Sequence, residues 1–95
     1  MRKEVLFDWD EGNKAKCRKH GVSVAEIEAL LGNEPRVAPD IGHSLEEDRL
    51  IAIGRNSAGR AMFVAFTIRN RGAVPLIRPI SARYMHRKEV KQYET

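Results

Sequence analysis

The sequence predicts an α+β domain in the order β-α-α-β-β-β-α, two helices packed on an antiparallel sheet with a short basic helix at the end. Three observations predict it. Two helix signatures stand back to back on either side of His20–Ser23. From Arg49 onward, apolar runs with strand character alternate with turn residues. The stretch Leu76–Tyr93 then passes from an apolar strand into cations at near-helical spacing: Arg83, Arg87, Lys88 and Lys91. Ninety-five residues with no repeat and no linker make one domain, 1–95, with a small core.

Taken in order, Glu4–Trp9 reads as a first strand that offers Val5, Leu6, Phe7 and Trp9 to the core. Asp10 is the N-cap of a helix through His20, whose Lys14, Lys16, Arg18 and Lys19 form a solvated cationic face. Cations in its last turn favour the helix dipole. Gly21 follows as the left-handed residue that ends the helix. Ser23 and Glu26 form a capping box, with Val22 and Ile27 as its hydrophobic staple. The second helix runs Val24–Leu31, burying Val24, Ile27, Leu30 and Leu31, and stops at Gly32. Pro35 and Pro39 bracket a short extended piece, Arg36–Ala38, which leads into the polar loop Asp40–Asp48.

The remainder is β in character. Arg49–Arg55 is a strand, Asn56–Gly59 a turn, and Arg60–Arg69 a second strand with Met62, Val64, Phe66 and Ile68 on one face. After Asn70–Gly72 a third strand, Val74–Ser81, returns. Pro79 cannot donate to a ladder, so this strand is an edge, is bulged or ends there.

A formal net charge of +4 and a pI near 9.6 favour a polyanion or an acidic protein as partner. Cys17, alone, excludes an internal disulfide, suits a reducing compartment and reads as structural. No apolar run reaches membrane-spanning length and the N-terminus lacks a signal-peptide pattern, so the expected location is the cytoplasm.

Candidate functional residues are chiefly cations. Arg78 inside an apolar strand needs a carboxylate such as Glu47, a sheet edge or a ligand. Arg49, Arg55, Arg69, Arg78 and Arg83 fall at or near strand ends, within reach of one concave face. Of the three histidines, His86 lies beside the basic helix and is the leading acid–base candidate, while His20 reads as a structural hinge. His43 sits among Asp40, Glu46, Glu47 and Asp48, but loop carboxylates are usually solvated and no metal site is expected. Glu47, two residues before Arg49, reads either as a general base or a group that orients Arg78, or more readily as half of a surface ion pair with Arg49.

A set of motifs spans nearly the whole chain. These are Phe7-Asp8-Trp9-Asp10; Lys19-His20-Gly21-Val22-Ser23; His43-Ser44 with Glu47 and Arg49; Ile53-Gly54-Arg55; and Ile80-Ser81-Ala82-Arg83 with Glu89 and Tyr93. In this order they resemble the BrnT family, the toxin halves of bacterial type II toxin–antitoxin pairs, which have a RelE-like ribonuclease fold. Lys16 and the pair Arg78-Pro79 depart from the usual pattern. The resemblance implies RNA cleavage that inhibits translation, without a metal or other cofactor. Arg78, Arg83, His86 and Glu47 would be the catalytic group. Arg49, Arg55, Arg69, Arg87 and Lys88 would bind RNA, joined on the family motif alone by Lys19 and His20. It also implies a ribbon-helix-helix-like antitoxin that masks the basic face and carries the DNA-binding half of the complex, so that DNA is met only through that partner. Basicity is equally compatible with a non-catalytic nucleic-acid-binding domain or a protein-interaction module.

Overall fold

A computed structural model describes residues 5–40 and 48–93. The described elements are α1 (Glu11–Arg18), α2 (Val24–Leu31), β1 (Arg36–Pro39), β2 (Leu50–Arg55), β3 (Ala61–Arg71), β4 (Val74–Tyr84) and α3 (Arg87–Tyr93). The four strands form one antiparallel sheet in the order β1-β2-β3-β4. Both N-terminal helices are set by capping boxes. Asp10 accepts from the Asn13 N–H while the Asn13 side chain accepts from the Asp10 N–H, and Ser23 and Glu26 do the same for α2. Gly21, at φ 85°, takes the left-handed turn between them.

The core lies between these helices and one sheet face. Ile27, Leu30 and Leu31 of α2 and Cys17 of α1 pack with Ala52, Met62, Val64, Phe66 and Ala82. The approach of α2 to β2 is close: a Cβ at Gly54 would stand 3.1 Å from the Leu30 side chain. Burial pushes the Cys17 thiol up to about 11, so it stays protonated and inert, as a structural residue should.

Four expectations change. The N-terminal strand Glu4–Trp9 is, among the described residues, only an isolated parallel bridge. Phe7 pairs with Ile77 through Asp8 N–H to Ile77 O at 2.8 Å and Ile77 N–H to Leu6 O at 2.9 Å. The chain must leave this bridge at once, because Asp10 is already capping α1. The extended piece Arg36–Ala38 is instead a sheet strand, β1, paired with β2 from Arg36↔Ile53 to Pro39↔Leu50. Val24, expected inside, and Ile68, expected on the face of Met62, Val64 and Phe66, are not buried. Val24 is half-buried, and Ile68 is 45% exposed because β2 ends opposite Phe66 and leaves the tip of β3 uncovered.

The fourth change matters most for function. β4 does not stop at Ser81 but continues to Tyr84, so Arg83 is a strand residue opposite Phe63. Pro79 is accommodated by a bulge: Ala65 pairs with Ser81 and Phe66 with Pro79, which leaves Ile80 without an opposite number. The skipped residue resets the alternation, so the chain resumes with Ala82 buried against the helices and Arg83 on the opposite face.

Candidate functional site

The face of the sheet away from α1 and α2 carries Ile51 on β2, Phe63 and Ala65 on β3, and Ser81 and Arg83 on β4. With His20, Asp40 and Glu89 these residues line a cleft of about 370 Å³. His20 comes from the α1–α2 hinge and Glu89 from α3.

Arg83 is the centre of this cleft. Its Nη1 and Nη2 each donate to one oxygen of Glu89 at 2.8 Å, a two-point fork, and Nη1 also lies 3.4 Å from the Tyr84 carbonyl. The guanidinium carbon stands 4.4 Å from the centre of the Phe63 ring. Its plane is thus fixed by a carboxylate at the edge and an aromatic ring beneath, while 43% of the side chain stays exposed. The fork from Arg83, helped by the His86 backbone N–H, holds the Glu89 carboxyl down to about 2. Near neutral pH Glu89 is therefore an ionised orienting group and a poor proton acceptor. His20 is the imidazole that lines the cleft.

Arg78 is placed elsewhere. Its Nη2 donates to Asp10 at 2.7 Å and its Nη1 lies 3.5 Å from Asp8, so among the described residues these two aspartates are its carboxylate partners, while Glu47 lies outside the described residues. The Asp10 carboxyl is held below its ordinary range by the Asn13 backbone N–H and by Arg78. This pairing fastens the N-terminal segment to β4, and Arg78 does not line the cleft. Both aspartates come from the segment that bridges at Ile77.

Of the five arginines expected along one face, Arg83 alone lines this cleft. Arg55 is exposed and donates to the Gly59 carbonyl at 2.8 Å, closing the β2–β3 turn. Arg49 lines a separate depression with Asp48 and Thr67, and Arg69 is exposed on the far part of β3. His86, expected to lead, is exposed at the start of α3, flanking the cleft through its backbone bond to Glu89. Arg87 and Lys88 are exposed on α3, and Lys19 caps α1 one residue before His20. Glu47 and His43 lie outside the described residues. Phe63 is not among the candidate site residues of the sequence, although it shares strand parity with Arg69. Among the described residues no three His, Cys, Asp or Glu side chains gather as a metal site would need, and no helix is long and apolar enough to cross a membrane.

The fold and cleft define a small α+β protein whose site presents a fixed guanidinium and an imidazole, groups suited to a phosphodiester. The family model for the ribonuclease toxin BrnT of type II toxin–antitoxin systems matches residues 9–89, and the chain belongs to that family. The match takes in His20, Phe63, Arg83 and Glu89. No curated protein matches the chain.

Proposed function

We propose that this chain is an endoribonuclease toxin with a RelE-like fold, whose active centre is the cleft formed by His20, Arg83 and Glu89. The observation that carries the reading is that these three side chains line one cleft in a chain of the BrnT family. Cleavage proceeds by attack of a ribose 2′-hydroxyl on the adjacent phosphorus. The P–O5′ bond breaks, a 2′,3′-cyclic phosphate remains, and the 5′-oxygen leaves with a proton. Arg83 faces the phosphate, where a fixed guanidinium stabilises the added negative charge of the phosphorane. Glu89 and Phe63 hold that guanidinium in place. His20 carries the proton, either from the 2′-hydroxyl or to the 5′-oxygen.

On this reading the reaction needs no metal, the protein acts in the cytoplasm, and the exposed arginines along the sheet guide the RNA backbone. A cognate antitoxin covers the cleft and supplies DNA binding to the complex. Expression of the chain alone should arrest bacterial growth and fragment RNA, and co-expression with the antitoxin should reverse both. Purified protein should cut RNA in excess chelator. Normal growth with intact RNA at high soluble expression would overturn the reading in favour of a non-catalytic binding domain.

A further inference from the structure

The two walls of the cleft come from separate parts of the fold. His20 belongs to the hinge between α1 and α2, and Arg83 to the end of β4. A proton carrier and a phosphate-facing cation must keep a fixed separation, since small misplacements of reacting groups are costly to rate. One carboxylate joins the segments that adjoin these two walls. Glu26 Oε1 accepts from the Ser23 N–H at 3.1 Å and the Ser23 hydroxyl at 3.0 Å, three residues beyond His20. Its Oε2 accepts from the Tyr84 hydroxyl at 2.8 Å, on the residue next to Arg83, and from Asn56 Nδ2 at 2.9 Å.

Both partners are themselves held. Asn56 Oδ1 accepts from the N–H groups of Ala58 and Arg60, so the β2–β3 turn is rigid where it meets Glu26. The Arg60 guanidinium lies 3.7 Å from the centre of the Tyr84 ring, clamping the ring that reaches Glu26. Helix capping alone does not require this reach. The Ser23–Glu26 box caps α2 through Oε1 and the Ser23 side chain, whereas Oε2 is spent wholly on the sheet.

We propose that Glu26 is a positioning residue of the cleft, tying the hinge that carries His20 to the end of the strand that carries Arg83 through the Tyr84 hydroxyl. The proposal rests on the ribonuclease reading for its kinetic consequence but not for its structural one. The Glu26 carboxyl is held down to about 2, first by Asn56 and then by Ser23, so the tie stays ionised through the physiological range.

Tyr84→Phe removes one O–H and leaves the ring in place, and Glu26→Gln keeps the side-chain shape. We expect each to slow single-turnover RNA cleavage about tenfold, with KM within about twofold of the parent. The double variant should be no slower than Glu26→Gln alone, because both act through one bond. In NMR spectra of the full chain, Tyr84→Phe should shift both the His20 imidazole and the Arg83 side-chain resonances. Wild-type rates in Tyr84→Phe, or losses that multiply in the double variant, would overturn the tie. So would a loss that vanishes on cooling below the variant's melting transition, which would reduce Glu26 to a fold contact. If the parent chain cuts no RNA, the ribonuclease reading fails by itself. The tie is then judged by NMR alone, and a His20 resonance unmoved by Tyr84→Phe would overturn it.

Discussion

The two halves of β4 on either side of the Pro79 bulge carry arginines that look alike in sequence and sit in different surroundings. Arg78 and Arg83 are five positions apart, and each meets carboxylate. Arg78 is the more enclosed, with 17% of its side chain exposed, and its aspartates belong to the segment that must be pinned for α1 to start. Arg83 is 43% exposed, stacked on Phe63, and opens onto a cleft that also holds His20. On the proposed ribonuclease reading, an ion pair alone therefore does not distinguish a structural cation from a reactive one. What the partner is attached to does, together with what remains open to solvent.

Substitutions sharpen this contrast. The largest effect is expected for Arg83→Ala. Loss of a preorganised donor to the phosphorane should lower the cleavage rate by about 10²–10³. Its exposed pair with Glu89 contributes little to stability, so the melting temperature should hardly move. His20→Gln should cost about 10² in rate through loss of general acid–base transfer. His86→Ala, which keeps the backbone bond to Glu89, should stay within about twofold of the parent. Rate measurements on the two histidine variants at matched RNA concentration decide which imidazole serves the cleft.

On the Arg78 side the expected losses are in stability. Asn13 is buried and donates from Nδ2 to the Asp8 and Pro79 carbonyls, both at 2.9 Å, while its Oδ1 accepts from the Asp10 N–H at 2.7 Å. Asn13→Ala strands these groups and should cost about 3 kcal/mol, read as a fall of more than about 10 °C in the melting temperature. Arg78→Ala should lower it by about 5 °C and leave cleavage below the transition nearly intact. A large rate loss in Arg78→Ala at full foldedness would erase the contrast between the two arginines.

The smallest effect is in pH. The Glu89 and Glu26 carboxyls sit near 2 in the folded chain, against an ordinary 4.5. A depressed folded value stabilises the fold above the unfolded value, and that stability is lost as pH falls toward the folded one. Melting temperature should thus be flat from neutrality down to about pH 5 and should decline from there toward about pH 2. The decline should be shallower in Glu89→Gln.

Much of the fold was readable because local chemistry fixed it. The Ser23–Glu26 box, Gly21 and the Val24–Leu31 span stand as their residues indicate. Pro79 announced a bulge or an edge, and β4 is both. What escaped depended on long-range partners. Nothing local shows that Arg36–Pro39 will find β2, or that Phe7 will bridge to Ile77 for so short a length. The site followed the same rule. Arg83 was legible as a cation near a strand end, but the bulge that turns it away from the helices places it opposite Phe63. His20 reads as a structural hinge until the hinge is seen to abut the strand carrying Arg83, and Glu89 was visible only through the family motif. Arg78 was recognised as needing a carboxylate, yet distance in sequence hid Asp8 and Asp10.

The most direct test of the division along β4 is cleavage of a labelled single-stranded RNA in excess chelator by the parent chain, Arg83→Ala and Arg78→Ala. All three should be assayed at a temperature where melting curves show each to be folded. Cutting should be robust in the parent, near parental in Arg78→Ala and reduced at least about a hundredfold in Arg83→Ala. Unimpaired cutting by Arg83→Ala, with activity lost in Arg78→Ala, would place the reactive end of the strand on the other side of the bulge.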